Sequence, residues 1–257
     1  MKTWTKVSVA LVVPLIAIVG YAAATAAKPN PFFPPIPVIL KRFSDLWLFK
    51  RVPTDVLPSL GNFLAGYTIA LAVGLIAGII VGRVRWLNDM AQPLIHFGRS
   101  VPPIMLIPPL VLVLGIGDTS KVFVIALGAA FPVILTTIDG MRQVDPALID
   151  MSKSIKLGRF QTLRSVILPA ASPAIFGGAQ TALQVALILM VSSEMVAATH
   201  GVGYLTMQAQ STFNAPSVWA GILLLALLGF LINVAFSLVR NRALAWHTGR
   251  AAAYAAS

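Results

Sequence analysis

The chain has 257 residues, of which 58% are hydrophobic and only 11% are charged. A soluble domain carries roughly a quarter charged residues, so this composition excludes an ordinary soluble protein and indicates a membrane protein. A net charge of +11 would suggest nucleic-acid binding in a soluble protein. In a membrane protein, basic residues instead cluster at the cytoplasmic ends of the spans, so no nucleic-acid partner is predicted.

Long stretches without Asp, Glu, Lys or Arg predict transmembrane helices, because about 20 apolar residues cross the hydrocarbon core. The strands of a β-barrel would alternate in polarity at every second residue, and the sequence has no such alternation. The prediction is therefore an all-α polytopic membrane protein with about six transmembrane helices. The six spans are placed at about Val7–Ala26, Leu60–Gly82, Pro93–Leu114, Val122–Ile138, Ala170–Val196 and Val218–Val239.

The first apolar run has a basic start and small residues near its end, as a secretory signal peptide has. It is long enough to span the membrane and further spans follow, so we predict an uncleaved first helix. The segment "VILKRFSDLWLFKRV" that comes next predicts a short surface helix. Its Trp47 and Phe49 are of the residue type that lies at the membrane interface.

Spans two and three have unusual compositions. Span two contains Gly61, Gly66 and the pair Gly74-xxx-Gly78, and small residues at this spacing allow close helix packing. Span three contains Pro102, Pro103, Pro108 and Pro109, and proline breaks a helix. A broken helix at membrane depth is tolerated only where protein or a water-lined cavity covers its backbone, so we expect span three to face the protein interior.

Six spans place both termini on one side of the membrane. If that side is the cytoplasm, thirteen of the 19 Lys and Arg residues lie inside, in agreement with the positive-inside rule. The predicted organisation is a single transmembrane domain over residues 1–257. It has an external segment over 28–55, a cytoplasmic loop over 140–168 and a cytoplasmic tail over 240–257.

The stretch "ALIDMSKSIKLGRFQTLRSVILPA", residues 147–170, is basic and water-compatible, unlike the apolar runs on either side. A helix is predicted to begin near Asp145-Pro146, with Asp as its cap and Pro in its first turn, and to end at Gly158. "RFQTLRSVI" predicts a second short helix that ends at Leu168-Pro169. A purely structural connection could be far shorter, so we interpret this helix–turn–helix as a docking element on the cytoplasmic surface.

The loop resembles the coupling loop of binding-protein-dependent ABC importer permeases, whose pattern is Glu-Ala-Ala, three residues, Gly, nine residues, Ile, one residue, Leu-Pro. Aligned on the closing Leu-Pro, Asp150, Met151 and Ser152 occupy the Glu-Ala-Ala positions. Lys156 occupies the glycine position, so the two alanines and the glycine are not matched. The resemblance implies an ATPase-coupling role for Asp150, Met151, Ser152, Lys153, Lys156, Gly158, Arg159, Arg164, Leu168 and Pro169. Gly158→Pro, or charge reversal at Asp150 and Arg159, is expected to abolish transport.

Two longer segments, "SVPPIMLIPPLVLVLGIGDTSKVFVIALGAAFPVILTTIDGMRQVDPALID" and "HGVGYLTMQAQSTFNAPSVWAGILLLALLGFLINVAFSLVRNRALAWH", resemble the branch of this family that imports nitrate, sulfonates and taurine. The resemblance implies a permease subunit of an ATP-driven, binding-protein-dependent importer in the bacterial cytoplasmic (inner) membrane, for a small organic or inorganic anion. It also implies two ATP-binding subunits, a second permease copy that forms a homodimer, an external substrate-binding protein and surrounding membrane lipid. No cofactor is expected on this chain, with ATP and Mg on the partner ATPase.

Gln180, Gln184 and Glu194 in span five fall within one broad stripe at 100° per residue. Polar groups inside a membrane usually face the bundle interior or a cavity, so these three are candidates for the wall of the translocation path. Alternatively, the glutamines join helices to one another, and Glu194 acts at a gate or lies in water at the outer interface. The glycine-rich "HGVGYL" that begins at His200 is either a flexible external gate or an ordinary turn.

Two other function classes are weaker. An ATP-independent secondary transporter or channel would usually show an internal repeat or ion-coupling acids, and the sequence has no clear repeat. An intramembrane enzyme would need a nucleophile–base pair or metal ligands. The chain has no cysteine and three scattered histidines, so neither a catalytic residue nor a metal site is predicted. "GIGDTSK" lacks the Gly-Lys-Ser/Thr ending of a phosphate-binding loop, so ATP hydrolysis is expected on a separate chain.

Overall fold

The computed structural model describes residues 3–28, 30–48 and 50–246, and this part of the chain is all-α, without a β-strand. In chain order the helices are α1 (Thr3–Ala27), α2 (Ile36–Trp47), α3 (Leu57–Arg83), α4 (Arg85–Ser100), α5 (Ile107–Leu114), α6 (Asp118–Arg142), α7 (Pro146–Ser154), α8 (Arg159–Thr162), α9 (Leu168–Ala197), α10 (Val202–Ser211) and α11 (Ala215–Ala243). Wide π-helical turns at Val52–Val56 and Leu163–Ile167 lead into α3 and α9, and a 3₁₀ turn at Pro103–Leu106 leads into α5.

Four of the helices, α3, α6, α9 and α11, are long and apolar enough to cross a membrane. They correspond to the predicted spans two, four, five and six. α4 and the segment Pro103–Leu114 would make a fifth crossing only as a bent pair, because their axes meet at 80°. α1 contains the apolar stretch Val12–Ala27. The all-α polytopic fold is confirmed, whereas the count of six and the orientation of the termini stay predictions.

The core is the packing of α6 between α3 and α9. Gly74 and Gly78 of α3 lie directly against α6, where a Cβ added to Gly74 would sit 2.6 Å from the Val133 Cβ and one added to Gly78 would sit 2.5 Å from the Thr137 Cβ. The predicted close packing at Gly74-xxx-Gly78 is therefore confirmed, although Gly61 faces open space. The surrounding core includes the buried side chains of Phe63, Tyr67, Ala70, Val124, Ile125, Leu189 and Met190.

Span three differs from its prediction. The helix α4 already begins at Arg85, the chain breaks at Val101-Pro102, and α5 is only eight residues long. Within α5 only Ile107 is buried, because this short helix contacts α6 and α9 along one edge and leaves its other face open. The expectation that span three faces the protein interior is therefore wrong for the single chain.

The helices α2 and α10 flank α11, and α10 is a helix that the sequence reasoning missed. Trp47 at the end of α2 is only 3% exposed and packs in a second apolar cluster with Val56, Val202 and Leu224. The Trp47 ring packs inside the protein, because α2 turns its apolar side toward α11 and α10; its place at the membrane interface stays a prediction. Phe49 and residues 247–257 of the predicted tail lie outside the described residues.

Candidate functional site

The loop that resembles a coupling loop, residues 145–169, opens with a helix that begins as predicted. Asp145 caps α7, its Oδ1 accepting the N–H of Ala147 at 2.9 Å, and Pro146 fills the first turn. The helix ends at Ser154, however, and not at Gly158. Gly158 has φ −66° and ψ 156° and begins α8, its N–H donating to the Gln161 Oε1 at 3.2 Å. The prediction that Gly158 ends the helix is therefore wrong.

The residue that makes the bend is Lys156, whose φ of +55° is in the left-handed region. This conformation costs an L-residue roughly 1–2 kcal/mol, a penalty that glycine escapes. Lys156 occupies the position where the family pattern has glycine. The bend that the pattern's glycine would provide is thus present here, with a lysine held in the same backbone conformation.

The face that α7 turns outward is apolar. Leu148, Met151 and Ile155 are spaced as neighbours on one side of a helix, and all three are exposed, Met151 by 56%. Phe160 follows beyond the bend and is 72% exposed. Ser152 lies beside this stripe, on the edge of the helix that the rest of the chain covers, and is buried, its hydroxyl donating to the Ile149 carbonyl oxygen at 2.6 Å. A buried position next to the helix explains why the family pattern has a small residue there.

The charges of the loop are also exposed. Asp150 and Lys153 form an ion pair at 2.8 Å, each side chain being 71% exposed, and such a pair contributes little stability. Lys156, Arg159 and Arg164 are exposed as well and have no carboxylate within ion-pair distance among the described residues. The loop therefore exposes apolar and basic side chains side by side, and few of them contact other parts of the described chain.

The loop is continuous with span five. A second short helix ending at Leu168-Pro169 was predicted, but the helical run continues from α8 through the Leu163–Ile167 turn into α9. The Leu168 N–H donates to the Leu163 carbonyl oxygen in the wide π pattern. Pro169, which has no N–H to donate, follows directly on this wide turn. The loop and span five are therefore joined by one continuous helical run.

The expectation that Gly158→Pro abolishes transport stays a prediction, and the backbone at Gly158 gives it no support. The φ of Gly158 is already the value that proline imposes. Its built Cβ would meet only the Gln161 Oε1, at 3.6 Å. The substitution would remove one exposed hydrogen bond and leave the shape of the loop in place.

At the opposite end of the molecule lies a buried polar network, formed by Asp55, Ser59, Glu194 and the N–H groups of Gly201–Gly203. The Asp55 Oδ1 accepts the N–H of Gly201 at 3.0 Å, and the Glu194 Oε2 accepts the N–H of Gly203 at 2.9 Å. Ser59 Oγ accepts the N–H of Val202 at 3.2 Å and donates to the Glu194 Oε1 at 2.5 Å. The first N–H groups of any helix have no partner within that helix. At α10 they donate instead to the side chains of Asp55, just before α3, of Ser59 in α3 and of Glu194 in α9.

Glu194 is only 1% exposed, so the alternative that it lies in water at the outer interface is wrong. Two glycines let the chain approach it. Gly201 has φ +117°, and a Cβ there would lie 2.5 Å from the Glu194 carboxyl carbon. A Cβ on Gly203 would lie 2.5 Å from the Val191 carbonyl oxygen. The glycines of "HGVGYL" are therefore required by close packing against Glu194.

A second group of polar side chains lies beside this network. Asp118 Oδ1 accepts from Asn62 Nδ2 at 2.7 Å and from Lys121 Nζ at 3.1 Å, and it lies 3.8 Å from His200 Nε2. Lys121 is buried, so its charge is balanced within the chain by Asp118. Within the described residues no three His, Asp or Glu side chains are placed to hold a metal ion.

The three path candidates do not form one site. Gln180 Oε1 accepts from Arg240 Nη1 at 2.5 Å, and its Nε2 donates to Asn233 Oδ1 at 3.2 Å, which joins α9 to α11. Gln184 is exposed. Glu194 belongs to the buried polar network, 14 residues beyond Gln180 and against different helices.

Sequence reasoning missed Asp55 and Ser59. Asp55 is one of the eight acids in the chain, directly precedes the charge-free span two and is buried. An acidic residue directly before a charge-free run was the one sequence feature that could have indicated a buried polar site here. Its partner is 146 residues away along the chain, so no local pattern could have identified the pairing.

The family model for the binding-protein-dependent transport system inner membrane component matches residues 70–244. The chain is 29% identical over 237 residues to the putative aliphatic sulfonates transport permease protein of Bacillus subtilis, covering 92% of this chain and 85% of that protein. It is 29% identical over 243 residues to the taurine transport system permease protein of Escherichia coli, covering 91% and 87%. The fold is similar to that of a chain from inward-facing structures of the MetNI methionine ABC transporter, with a TM-score of 0.64, 23% identity and coverage of 74% of this chain and 94% of that one.

Proposed function

The chain belongs to the family of binding-protein-dependent transport system inner membrane components, and we propose that it is a permease subunit of an ATP-driven importer supplied by an external binding protein. It is a multi-pass inner-membrane protein.

The observation that carries the proposal is the coupling loop, residues 145–169. Its apolar stripe consists of Leu148, Met151 and Ile155. This stripe and Phe160 are exposed on the surface that α7 and α8 form. Burying about 100 Å² of such surface in a partner would contribute roughly 2–3 kcal/mol. We expect two ATP-binding subunits to cover two such loops, with ATP and Mg bound on those subunits. Their closure would move α8 and, through the continuous helix, α9.

A second permease copy is part of the proposal. The break at Val101-Pro102 leaves backbone groups that hydrocarbon cannot satisfy, and the exposed face of α5 leaves this region open in the single chain. A second copy of the chain, in a homodimer, would cover both. The translocation path would then lie between the two copies.

Gln184 is the path residue that we retain. It lies near the middle of α9, its side chain is exposed, and an amide facing hydrocarbon would be costly. Gln180 and Glu194 already have partners inside the chain. The substrate that we propose is a small anion, with sulfonates and taurine first, because these are the substrates that the names of the similar permeases state.

The test is uptake by the complex purified from its native membrane and reconstituted into liposomes with its binding protein. Radiolabelled taurine and ethanesulfonate are supplied outside, with ATP or a non-hydrolysable analogue enclosed. The expected result is uptake that requires hydrolysable ATP. The matched variants are Met151→Asp, in the loop, and Met207→Asp, which places the same change on an exposed methionine of α10.

Met151→Asp should abolish ATP-dependent uptake and Met207→Asp should leave it unchanged. Uptake that continues without ATP would mean a secondary transporter and would overturn the importer. ATP hydrolysis without uptake of either sulfonate would overturn the substrate class and leave the importer standing.

A further inference from the structure

A polar cavity of about 220 Å³ lies between α2, α10 and α11. In the predicted topology it opens on the outer side, at the same end as the buried polar network. Its lining includes two arginines and five other side chains that carry hydrogen-bond donors, Ser217 among them, and no Asp or Glu among the described residues. The donors that concern us belong to Arg42, Trp47, Arg51, Gln208, Thr212 and Asn214.

The two arginines of the cavity use only some of their hydrogen-bond donors within the chain. Arg42 donates through Nε to Ser217 Oγ at 2.8 Å, and it has no carboxylate within ion-pair distance among the described residues. Arg51 lies 3.5 Å from the Asp55 Oδ2, but Asp55 also accepts from Gly201 and Thr54. Both guanidinium groups therefore keep donors free for a ligand in the cavity.

Trp47 supplies an independent observation. It is 3% exposed and lines the cavity, yet its Nε1–H has no acceptor in the described part of the chain. A buried donor without a partner is unfavourable by roughly 1–3 kcal/mol and is uncommon in folded proteins. An acceptor oxygen inside the cavity would remove that penalty.

A wider cavity of about 590 Å³ shares Arg42 and Arg51 with the first and adds Lys50 and Asp45 at its rim. The two cavities together form an opening with three basic residues and one acid. A concave surface of one sign concentrates ions of the opposite sign. An anion would thus be attracted to the mouth and held in the inner cavity.

We propose that the inner cavity binds a small oxyanion, a sulfonate, sulfate or phosphate group, either as a free solute or as the headgroup of an anionic lipid. Arginine and indole N–H donors match the tetrahedral arrangement of acceptor oxygens in such a group. Leu46, Leu205 and Ala209 complete the lining and exclude water from one side. The site stands apart from the coupling loop, so it does not depend on ATP as the driving force.

The experiment titrates the purified chain in nanodiscs of zwitterionic lipid with ethanesulfonate, sulfate and inorganic phosphate, against chloride at constant ionic strength, by calorimetry. Gln208→Leu removes a donor that has no side-chain partner among the described residues, and Gln210→Leu is its matched control on the same helix, outside the cavity. Arg42→Gln and its neighbour Lys41→Gln form a second pair. Native mass spectrometry of chain purified with phosphatidylglycerol tests the lipid source.

We expect saturable binding of at least one anion, or retained phosphatidylglycerol. Arg42→Gln should weaken it roughly tenfold or more, and Gln208→Leu should weaken it in the same direction. Both control variants should stay close to the wild type. Binding of a free anion identifies a solute site, and lipid retained only by chains with an intact cavity identifies a headgroup site. Absence of both, or equal weakening by Lys41→Gln and Arg42→Gln, would overturn the proposal.

Discussion

The two ends of this molecule use polar residues in opposite ways. At the buried polar network, Asp55, Ser59 and Glu194 are almost fully buried and each accepts or donates hydrogen bonds that fix the start of α10. At the coupling loop, Asp150 and Lys153 are mostly exposed and pair only with each other. The side chains of the network find their partners within the chain, whereas the charges of the loop find few.

This difference in burial predicts that the network mainly determines folding stability and that the loop mainly determines binding. Buried polar groups are costly to leave unpaired, so substitutions in the network should mainly change how well the chain folds. Exposed groups contribute little to folding, so substitutions in the loop should mainly change what the chain binds. The following predictions run from the largest expected effect on stability to the smallest.

Glu194→Ala should produce the largest loss. It would leave the Gly203 N–H without its acceptor and Ser59 without its strongest partner, at about 1–3 kcal/mol for each group. Glu194→Gln should lose less, since its amide keeps one acceptor oxygen. The melting temperature of purified chain in detergent measures both. Asp150→Ala is the control, for which we expect a change below about 0.5 kcal/mol; equal melting of the Glu194→Ala and Asp150→Ala chains would contradict the assignment.

Gly74→Val should have the next largest effect. Its Cβ would meet Val133 at 2.6 Å, and overpacking of this kind destabilises by about 1–3 kcal/mol. The yield of monodisperse chain after gel filtration and its melting temperature provide the measurement. Gly61→Val makes the same change on the same helix where nothing lies within 4 Å, and it should behave as the wild type. A similar loss for both would mean that β-branching, not the α3–α6 contact, is responsible.

Lys156→Gly and Lys156→Val should have small effects of opposite sign. Glycine relieves roughly 1–2 kcal/mol of left-handed strain but adds back about 0.5–1 kcal/mol of backbone entropy, so a gain below about 1 kcal/mol is expected. Valine should destabilise the bend and reduce ATPase binding. Lys153→Val removes the same charge from a helical position and should cost only a few tenths of a kcal/mol. A Lys156→Gly chain that loses ATPase binding would show that the lysine charge matters more than the bend.

Much of the fold was predictable because charge-free runs are a direct consequence of the membrane solvent. Spans two, four, five and six correspond to α3, α6, α9 and α11 for that reason. The ten-residue α10 was missed since "VGYLTMQAQS" mixes polar and apolar residues without a clear period. The burial of Trp47 was not predicted, because its neighbours come from α10 and α11, far along the chain.

In the candidate site, too, the features set by local sequence were predictable and the long-range contacts were not. The start of α7 follows from Asp145 and Pro146, whose capping chemistry is local. The bend at Lys156 could have been inferred from the glycine that the family pattern has there. The pairing of Asp55 with Gly201 and of Ser59 with Glu194 could not, because those contacts join residues 146 and 135 positions apart. Long-range polar pairing depends on helix packing that no short pattern encodes.

The smallest expected change in stability accompanies the largest expected change in binding, at Met151. The side chain is 56% exposed, so Met151→Asp should shift the melting temperature by no more than Met207→Asp at the other end. The most direct measurement is the amount of ATP-binding chain that co-purifies with each tagged variant from native membranes, quantified per permease by mass spectrometry. We predict one ATP-binding chain per permease for the wild type and Met207→Asp, and loss of it for Met151→Asp. Equal recovery from all three chains, or recovery from none, would contradict the coupling loop as the docking site.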